Sequence, residues 1–351
     1  MSEINDGSNF NPRCNTCLLG HEAEEKLLFD AWASRSLHNS WIISGIEGIG
    51  KATLAYKFAR FLLAAGNADP SAYQNLNVSD QHPVYKLVAN KAHPDLKIIE
   101  RDFTDTDKKK VLKAIKDGEA LDEGELKELK KSAFIRVDDV RTINEFLSKR
   151  SGNDGWRVVI IDAVDDMNVN SANAVLKVLE EPPAQTVMLL ISHNPDRLLP
   201  TIRSRCAKLP LKPLSDVNVA SLLRRYRPEL TEAAVKRLTS LSSGSIGKAL
   251  RYADLDAVFL NEELLSLVSS NRPDLGKLLD FCTRAAGNEE LYALSKELLL
   301  KFIASTAAIG DVEALSTAWS NALKVFNETS ALNLDKKQAL MNIIYNLSQR
   351  M

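Results

Sequence analysis

The sequence predicts an α/β domain built on a parallel sheet, followed by a tail that is helical throughout. Three observations carry this. Apolar strand-like runs alternate with helical stretches through the first part of the chain, the pattern of a parallel sheet with helical crossovers. RVVIIDAVDDM (Arg157 to Met167) sets four consecutive β-branched residues before an acid, as in a central parallel strand that ends at a site. Beyond Pro213 every segment reads as helix.

The elements follow in order. WIISG (Trp41 to Gly45) is a short buried strand, and ATLAYKFARFLLAA (Ala52 to Ala65) has helical periodicity and good helix formers. Pro70 to Pro94 reads as an irregular surface connection. From Glu100 to Glu128 the chain is dense in Lys, Asp and Glu, with Lys108, Lys109 and Lys110 together and Lys130 and Lys131 just past it. The signs are interleaved, which favours a solvated helical excursion over a binding patch. VDDVRTINEFLSKRS (Val137 to Ser151) is an amphipathic helix. After the Arg157 strand, SANAVLKVLEEPP is a helix from Ser171 closed by Pro182 and Pro183. TVMLLIS (Thr186 to Ser192) is a further buried strand, and KLPLKPL (Lys208 to Leu214) a last short one. Residues 216 to 253 hold three short helices, and residues 255 to 351 four or five longer ones.

At 351 residues the chain has room for two or three cores. Its 45% hydrophobic and 26% charged composition is that of an ordinary folded, soluble protein. A net charge of -1, from 45 basic and 46 acidic residues, gives no overall pull toward polyanions. Any nucleic-acid contact therefore needs a local basic patch or basic partner chains. The start MSEINDGSNFNPRCNTC has no apolar export core, and no apolar run is long enough to span a bilayer. Cysteines at 14, 17, 206 and 282 form no spaced disulfide framework. The expected compartment is a reducing cytoplasm, with no membrane contact. Cys14 and Cys17 have the spacing of half a zinc site, but no second Cys/His pair follows nearby. They read as two thiols in a loose N-terminal segment, and no metal site is expected.

The stretch that points to chemistry is GIEGIGKATLAYKF (Gly45 to Phe58). Gly45, Gly50 and Lys51 satisfy G-x-x-x-x-G-K between a strand and a helix. Glycines, Gly48 among them, let backbone N–H groups curl around phosphate oxygens; the helix start adds partial positive charge and Lys51 a full one. Hydrolysis needs more: a hydroxyl after the lysine for Mg²⁺, an acid on a neighbouring strand and a group that orients water. The hydroxyl position is Ala52, and Thr53 is rotated about 100° around the helix. Asp162 stands where the Mg²⁺-side acid belongs, but its neighbour, where a water-polarising glutamate would follow, is Ala163. Asp165 and Asp166 read as capping the next turn rather than as replacements. The loop is expected to bind ATP or ADP without efficient turnover, with Mg²⁺ weakened by Ala52. Arg205, within Ser204-Arg205-Cys206, reads from its residues alone as a surface or salt-bridged side chain. Its alternative use is as a finger for a neighbouring subunit's γ-phosphate.

The P-loop, His93-Pro94-Asp95, IRVDDVR, VVIIDAVDDMNVNSANAVLKVLEEPP and SRC follow one another in this order. In this the chain resembles the delta prime subunits of bacterial DNA polymerase III clamp loaders, of the AAA+ superfamily, over about residues 18 to 255. The resemblance implies an AAA+ P-loop domain over 1–213, a small helical lid over 214–254 and an all-α collar over 255–351. It implies a stator in a heteropentamer with gamma/tau-type motor and delta-type subunits, acting on the sliding clamp and primed DNA as part of a DNA polymerase holoenzyme. It puts the in-trans finger on Arg205, and the nucleotide contacts on Gly45, Gly48, Gly50, Lys51, Ala52, Thr53 and Asp162. There are departures. Many such proteins carry a four-cysteine zinc module after the P-loop helix, and residues 64 to 92 hold no cysteine, so no zinc is expected. Gly247 stands where motor subunits place a nucleotide-sensing arginine, with Lys248 one step off. A self-sufficient ATPase of helicase-loader type, with Asp165 or Thr53 covering the missing groups, is the alternative. An adaptor with a relic P-loop is a third reading.

Overall fold

The computed structural model describes residues 11–117, 129–149, 151, 155–270, 272–307 and 312–349. Five strands are present: β1 (Ser40–Ser44), β2 (Leu96–Glu100), β3 (Arg157–Asp162), β4 (Thr186–Ser192) and β5 (Ala207–Pro210). They form one sheet in the order β2-β3-β4-β1-β5, every pairing parallel. Helices α1 (Glu22–Ala33), α2 (Lys51–Ala65), α3 (Pro83–Ala89), α4 (Asp105–Asp117), α5 (Val137–Ser148), α6 (Val169–Glu180) and α7 (Asp216–Tyr226) complete this part.

The apolar runs of the central strands are continuous because both faces of the sheet are covered. Trp41, Ile43, Val158, Ile160 and Leu189 face a core shared with Leu54, Phe58 and Phe61 of α2. Ile42, Val159, Ile161 and Leu190 point the other way, onto Val140 and Ile143 of α5 and Val175 and Leu179 of α6. Alternation along each strand sends neighbours to opposite layers. Asn168 caps α6 by accepting from the Ser171 amide at 2.9 Å, so that helix starts at Val169, ahead of the expected Ser171.

Two elements depart from the sequence reading. The stretch Pro70 to Pro94 is not irregular throughout: Pro83 opens α3, and the His82 ring accepts from the Val84 amide. β2 is a strand that periodicity passed over, since it is an edge strand with only Leu96 and Ile99 fully buried. The N-terminal segment is also not loose where described. Arg60, 2% exposed, donates to the Arg13 and Asn15 carbonyls at 2.7 and 2.8 Å, and Tyr85 donates to the Cys14 carbonyl at 2.5 Å. The charged excursion appears as α4 up to Asp117; its remainder over 118–128 lies outside the described residues.

The chain divides into two compact units, Met1–Pro228 with Ser243–Gly247, and Glu229–Ser242 with Lys248–Met351. The second is helical: α8 (Glu232–Ser242), most of α9 (Ile246–Asp254), α10 (Ala257–Val268), α11 (Leu275–Ala286), α12 (Glu289–Ala307), α13 (Val312–Ala331) and α14 (Lys336–Ser348). Its core includes Leu260, Leu264, Leu278, Phe281, Leu299, Phe326, Leu340 and Ile344. Among the described residues no helix is long and apolar enough to cross a membrane.

Candidate functional site

β1 ends at Ser44 and α2 begins at Lys51, with the glycine-rich loop between them. Gly50 is the N-cap of α2 at φ +106°, a left-handed turn that costs glycine little. This turn aims the loop's amides and the free N–H groups of the first helical turn to one side. Two contacts hold the loop from behind: the Leu211 amide donates to the Ser44 carbonyl at 2.7 Å, and His21, 1% exposed, donates from Nε2 to the Ile49 carbonyl at 2.7 Å.

Lys51 is 3% exposed. Its Nζ donates to the carbonyls of Gly45 at 2.7 Å and Ile46 at 2.6 Å, so the ammonium is gripped by its own loop. Burial pulls its pKa down to about 8, against the opposing pull of Asp162, Glu47 and Asp165. Asp162 ends β3, in register with Glu100 of β2 and Ile191 of β4. Burial raises its pKa, the Glu100 and Asp166 carboxylates add to that, and His193 and Lys51 oppose it. Motif reading passed over His193. It follows β4 directly, and the strand order brings it near Asp162; the only signal in the sequence is its position after a buried strand.

This donor set fits a phosphate: left-handed glycines, a helix start and a buried lysine converge. It fits Mg²⁺ chemistry poorly. Ala52 offers a methyl where a hydroxyl would ligate, Thr53 is buried within α2, and Ala163 is buried beside Asp162. Asp165 is engaged elsewhere, accepting from Ser192 Oγ at 2.9 Å and the Asn194 amide at 3.1 Å. Asp166 pairs with Arg101 at 3.0 Å. Both acids tie down turns, and neither takes the place of a missing group. Lys248, one step past Gly247, pairs with Glu297.

Arg205 lies apart from this constellation. It precedes β5, an edge strand whose Ala207 is in register with Trp41 of β1. Gly45 lies beyond the other end of β1, on the order of 20 Å away along the strand direction at the usual rise per residue. Arg205 pairs with Glu180 at 2.7 Å and donates from Nη1 to the Thr201 carbonyl at 3.1 Å. The adjoining Cys206 is buried, which pushes its thiol up to about 12. Among the described residues no group of three or more His, Cys, Asp and Glu side chains is placed to hold a metal ion.

A glycine loop thus opens at one end of a five-stranded parallel sheet whose edge strand β5 follows Ser204-Arg205-Cys206. The model of the family described as DNA polymerase III, delta subunit matches residues 20–215, more than half of the chain. The chain belongs to this family. It is 34% identical over 224 residues to DNA polymerase III subunit delta prime of Pseudomonas aeruginosa, covering 63% of this chain and 58% of that protein. It is 28% identical over 226 residues to the delta prime subunit of Escherichia coli, covering 64% of this chain and 57% of that one. The chain thus matches somewhat over half the length of these relatives. Similarity extends to DNA polymerase III subunit tau/gamma of Haemophilus influenzae, at 26% identity over 87% of this chain and 39% of that protein. Among solved structures, a gamma subunit-related protein of Thermotoga maritima superposes with a TM-score of 0.51 at 18% identity, covering 93% of this chain and 99% of that one. That likeness shows a shared fold.

Proposed function

We propose that this family member is the delta prime-type stator of a DNA polymerase III clamp loader. In this reading it sits in a heteropentamer with gamma/tau-type motor subunits and a delta-type subunit, in the cytoplasm. Through the complex it acts on the sliding clamp and primed DNA. Its division of labour is an AAA+ P-loop domain over 1–213, a lid over 214–254 and an oligomerising collar over 255–351.

The observation that carries the reading is the separation of the finger from the chain's own loop. Arg205 stands at the start of an edge strand, whereas Lys51 lies beyond the opposite end of the neighbouring strand. An arginine so placed does not reach a phosphate on its own loop. It serves a neighbour docked against the β5 edge, where a guanidinium stabilises charge developing on transferred phosphoryl oxygens. Ala52 and Ala163 support the complementary half: this chain does not drive hydrolysis itself. ATP or ADP would be held by the amides of Gly48, Gly50, Lys51, Ala52 and Thr53 and by the Lys51 ammonium. Gly45 shapes the loop's entry, and Asp162 supplies a weak Mg²⁺-side acid.

Reconstitution of the loader tests the reading. With Arg205→Ala, DNA- and clamp-stimulated ATP hydrolysis is expected to fall, by ~10³ at the site that the finger serves. An unchanged rate would remove the finger assignment. Steady turnover by the purified chain, abolished by Lys51→Ala, would instead support a self-sufficient ATPase.

A further inference from the structure

Each trans peptide unit is a plane in which the C=O and the N–H point opposite ways. A partner that fixes a carbonyl on one side therefore aims the next residue's amide at the other. Three consecutive carbonyls of the glycine loop are fixed in this way by segments outside it. Ser245 Oγ donates to the Glu47 carbonyl at 2.7 Å, the Gly247 amide to the Gly48 carbonyl at 2.9 Å, and His21 Nε2 to the Ile49 carbonyl at 2.7 Å. The amides set by these contacts are those of Gly48, Ile49 and Gly50. Among the described residues, none of the three donates to a protein acceptor. Gly48 and Gly50 have positive φ, at +78° and +106°, and Ile49 between them does not. Such alternation makes successive amides converge on an anion.

The braces come from parts of the chain far from the loop in sequence. His21 is the N-cap residue of α1, and the Ser243–Gly247 turn belongs to the same compact unit as the loop. His21 and Ser245 are both buried, so their bonds are shielded from competing water. A carbonyl oxygen only accepts, so the contact with Ile49 fixes the His21 ring as the form with hydrogen on Nε2. The turn is itself seated by the Leu214 amide, which donates to the Gly244 carbonyl at 2.9 Å. It packs directly on the loop: a Cβ on Gly247 would stand 2.8 Å from the Gly48 Cα, and one on Gly48 would stand 2.4 Å from Ser245 Oγ.

We propose that His21 and Ser245 are positioning residues for the phosphate cradle: by holding the Ile49 and Glu47 carbonyls, they keep the Gly50 and Gly48 amides aimed at the phosphate face before nucleotide arrives. The proposal rests on the phosphate-cradle reading of the loop and is independent of the role given to Arg205. The benefit is preorganisation. A loop free to rotate these two peptides has to be ordered at the moment of binding, and that entropy cost weakens the observed affinity. Neither side chain has to touch the nucleotide.

The test is equilibrium binding of a fluorescent ADP analogue to the purified full chain, in the wild type, His21→Phe, His21→Gln and Ser245→Ala. His21→Phe keeps a ring and loses the donor, whereas His21→Gln keeps a donor at a similar reach. Ser245→Ala removes one hydroxyl. The expected result is about fivefold weaker binding in His21→Phe and in Ser245→Ala, the worth of one net hydrogen bond, with His21→Gln restored to within about twofold of the wild type. A role in packing alone would not produce that rescue. A His21→Gln chain as weak as His21→Phe would therefore overturn the assignment to the hydrogen bond. His21→Phe or Ser245→Ala binding as tightly as the wild type, or more tightly, removes the role given to that residue and leaves the cradle standing. Should His21→Phe fail to fold, His21→Leu replaces it as the donor-free variant. No saturable binding by the wild type overturns the cradle reading and the braces with it.

Discussion

Arg205 and Glu180 form a 2.7 Å ion pair that ties the Ser204–Cys206 turn to the last residue of α6. The side chains are 35% and 49% exposed, and solvent screening limits such a pair to under about 1 kcal/mol. Arg205→Ala and Glu180→Gln should therefore each leave the unfolding temperature of the isolated chain nearly unchanged, as read by differential scanning calorimetry. A loss of loader activity in Arg205→Ala would then report on the guanidinium itself and not on the fold. A large drop in unfolding temperature would assign Arg205 a structural role.

Gly48→Ala is expected to destabilise the chain more than Gly66→Ala. Both glycines have positive φ, at +78° and +54°, so each replacement carries a backbone cost of roughly 1 kcal/mol or more. Only Gly48 adds a steric one, since a Cβ at Gly66 meets nothing within 4 Å. Parallel urea titrations give the comparison, and equal midpoints would show that the turn yields to Gly48 without cost.

Lys51 should titrate near pH 8, because burial outweighs the acids around it. The sign follows from proton binding. Between the folded pKa of about 8 and the ordinary lysine value of 10.5, the unfolded chain binds more protons, so stability rises with pH across that window. The charged ammonium costs about 3 kcal/mol below it. Lys51→Met should flatten this rise in pH-dependent unfolding. Lysine NMR with ¹³C at Cε gives the midpoint directly, and a value near 10.5 would show that the carbonyl grip fully offsets burial.

Arg60→Met should free the N-terminal segment. The guanidinium binds the Arg13 and Asn15 carbonyls and lies over the Tyr85 ring at 5.5 Å. Losing it strands two carbonyls, at about 1 to 3 kcal/mol each where water cannot reach them. Alkylation of Cys14 and Cys17 should accelerate in the variant. An unchanged rate would mean that the remaining contacts, Tyr85 with the Cys14 carbonyl and Asn15 with the Tyr226 hydroxyl, hold the segment.

Most of the sheet was legible because its central strands are buried on both faces: VVII and TVMLLIS have no other plausible home. β2 was not, because it is an edge strand whose Lys97 and Glu100 break the apolar run. α3 escaped because seven residues nucleate poorly on propensity alone; a proline, a capping histidine and Val88 in the core hold it. Of the candidate residues, the glycines, Lys51 and Asp162 were named from local pattern, and Arg205 from the family resemblance alone. His193 and Glu180 were not, since their significance lies in what the fold sets beside them.

The sequence by itself determined what depends on near neighbours: a glycine-rich loop with Lys51 between strand and helix, alanines at positions 52 and 163, and a helical tail. These follow from spacing and residue type, which act over a few residues. Only the tertiary structure decided that Lys51 is buried in the grip of two carbonyls, that Gly48 meets Gly247, and that Arg205 stands at the opposite end of the sheet from Lys51. Burial and the closeness of distant segments are properties of the packed chain, and no periodicity along the sequence encodes them.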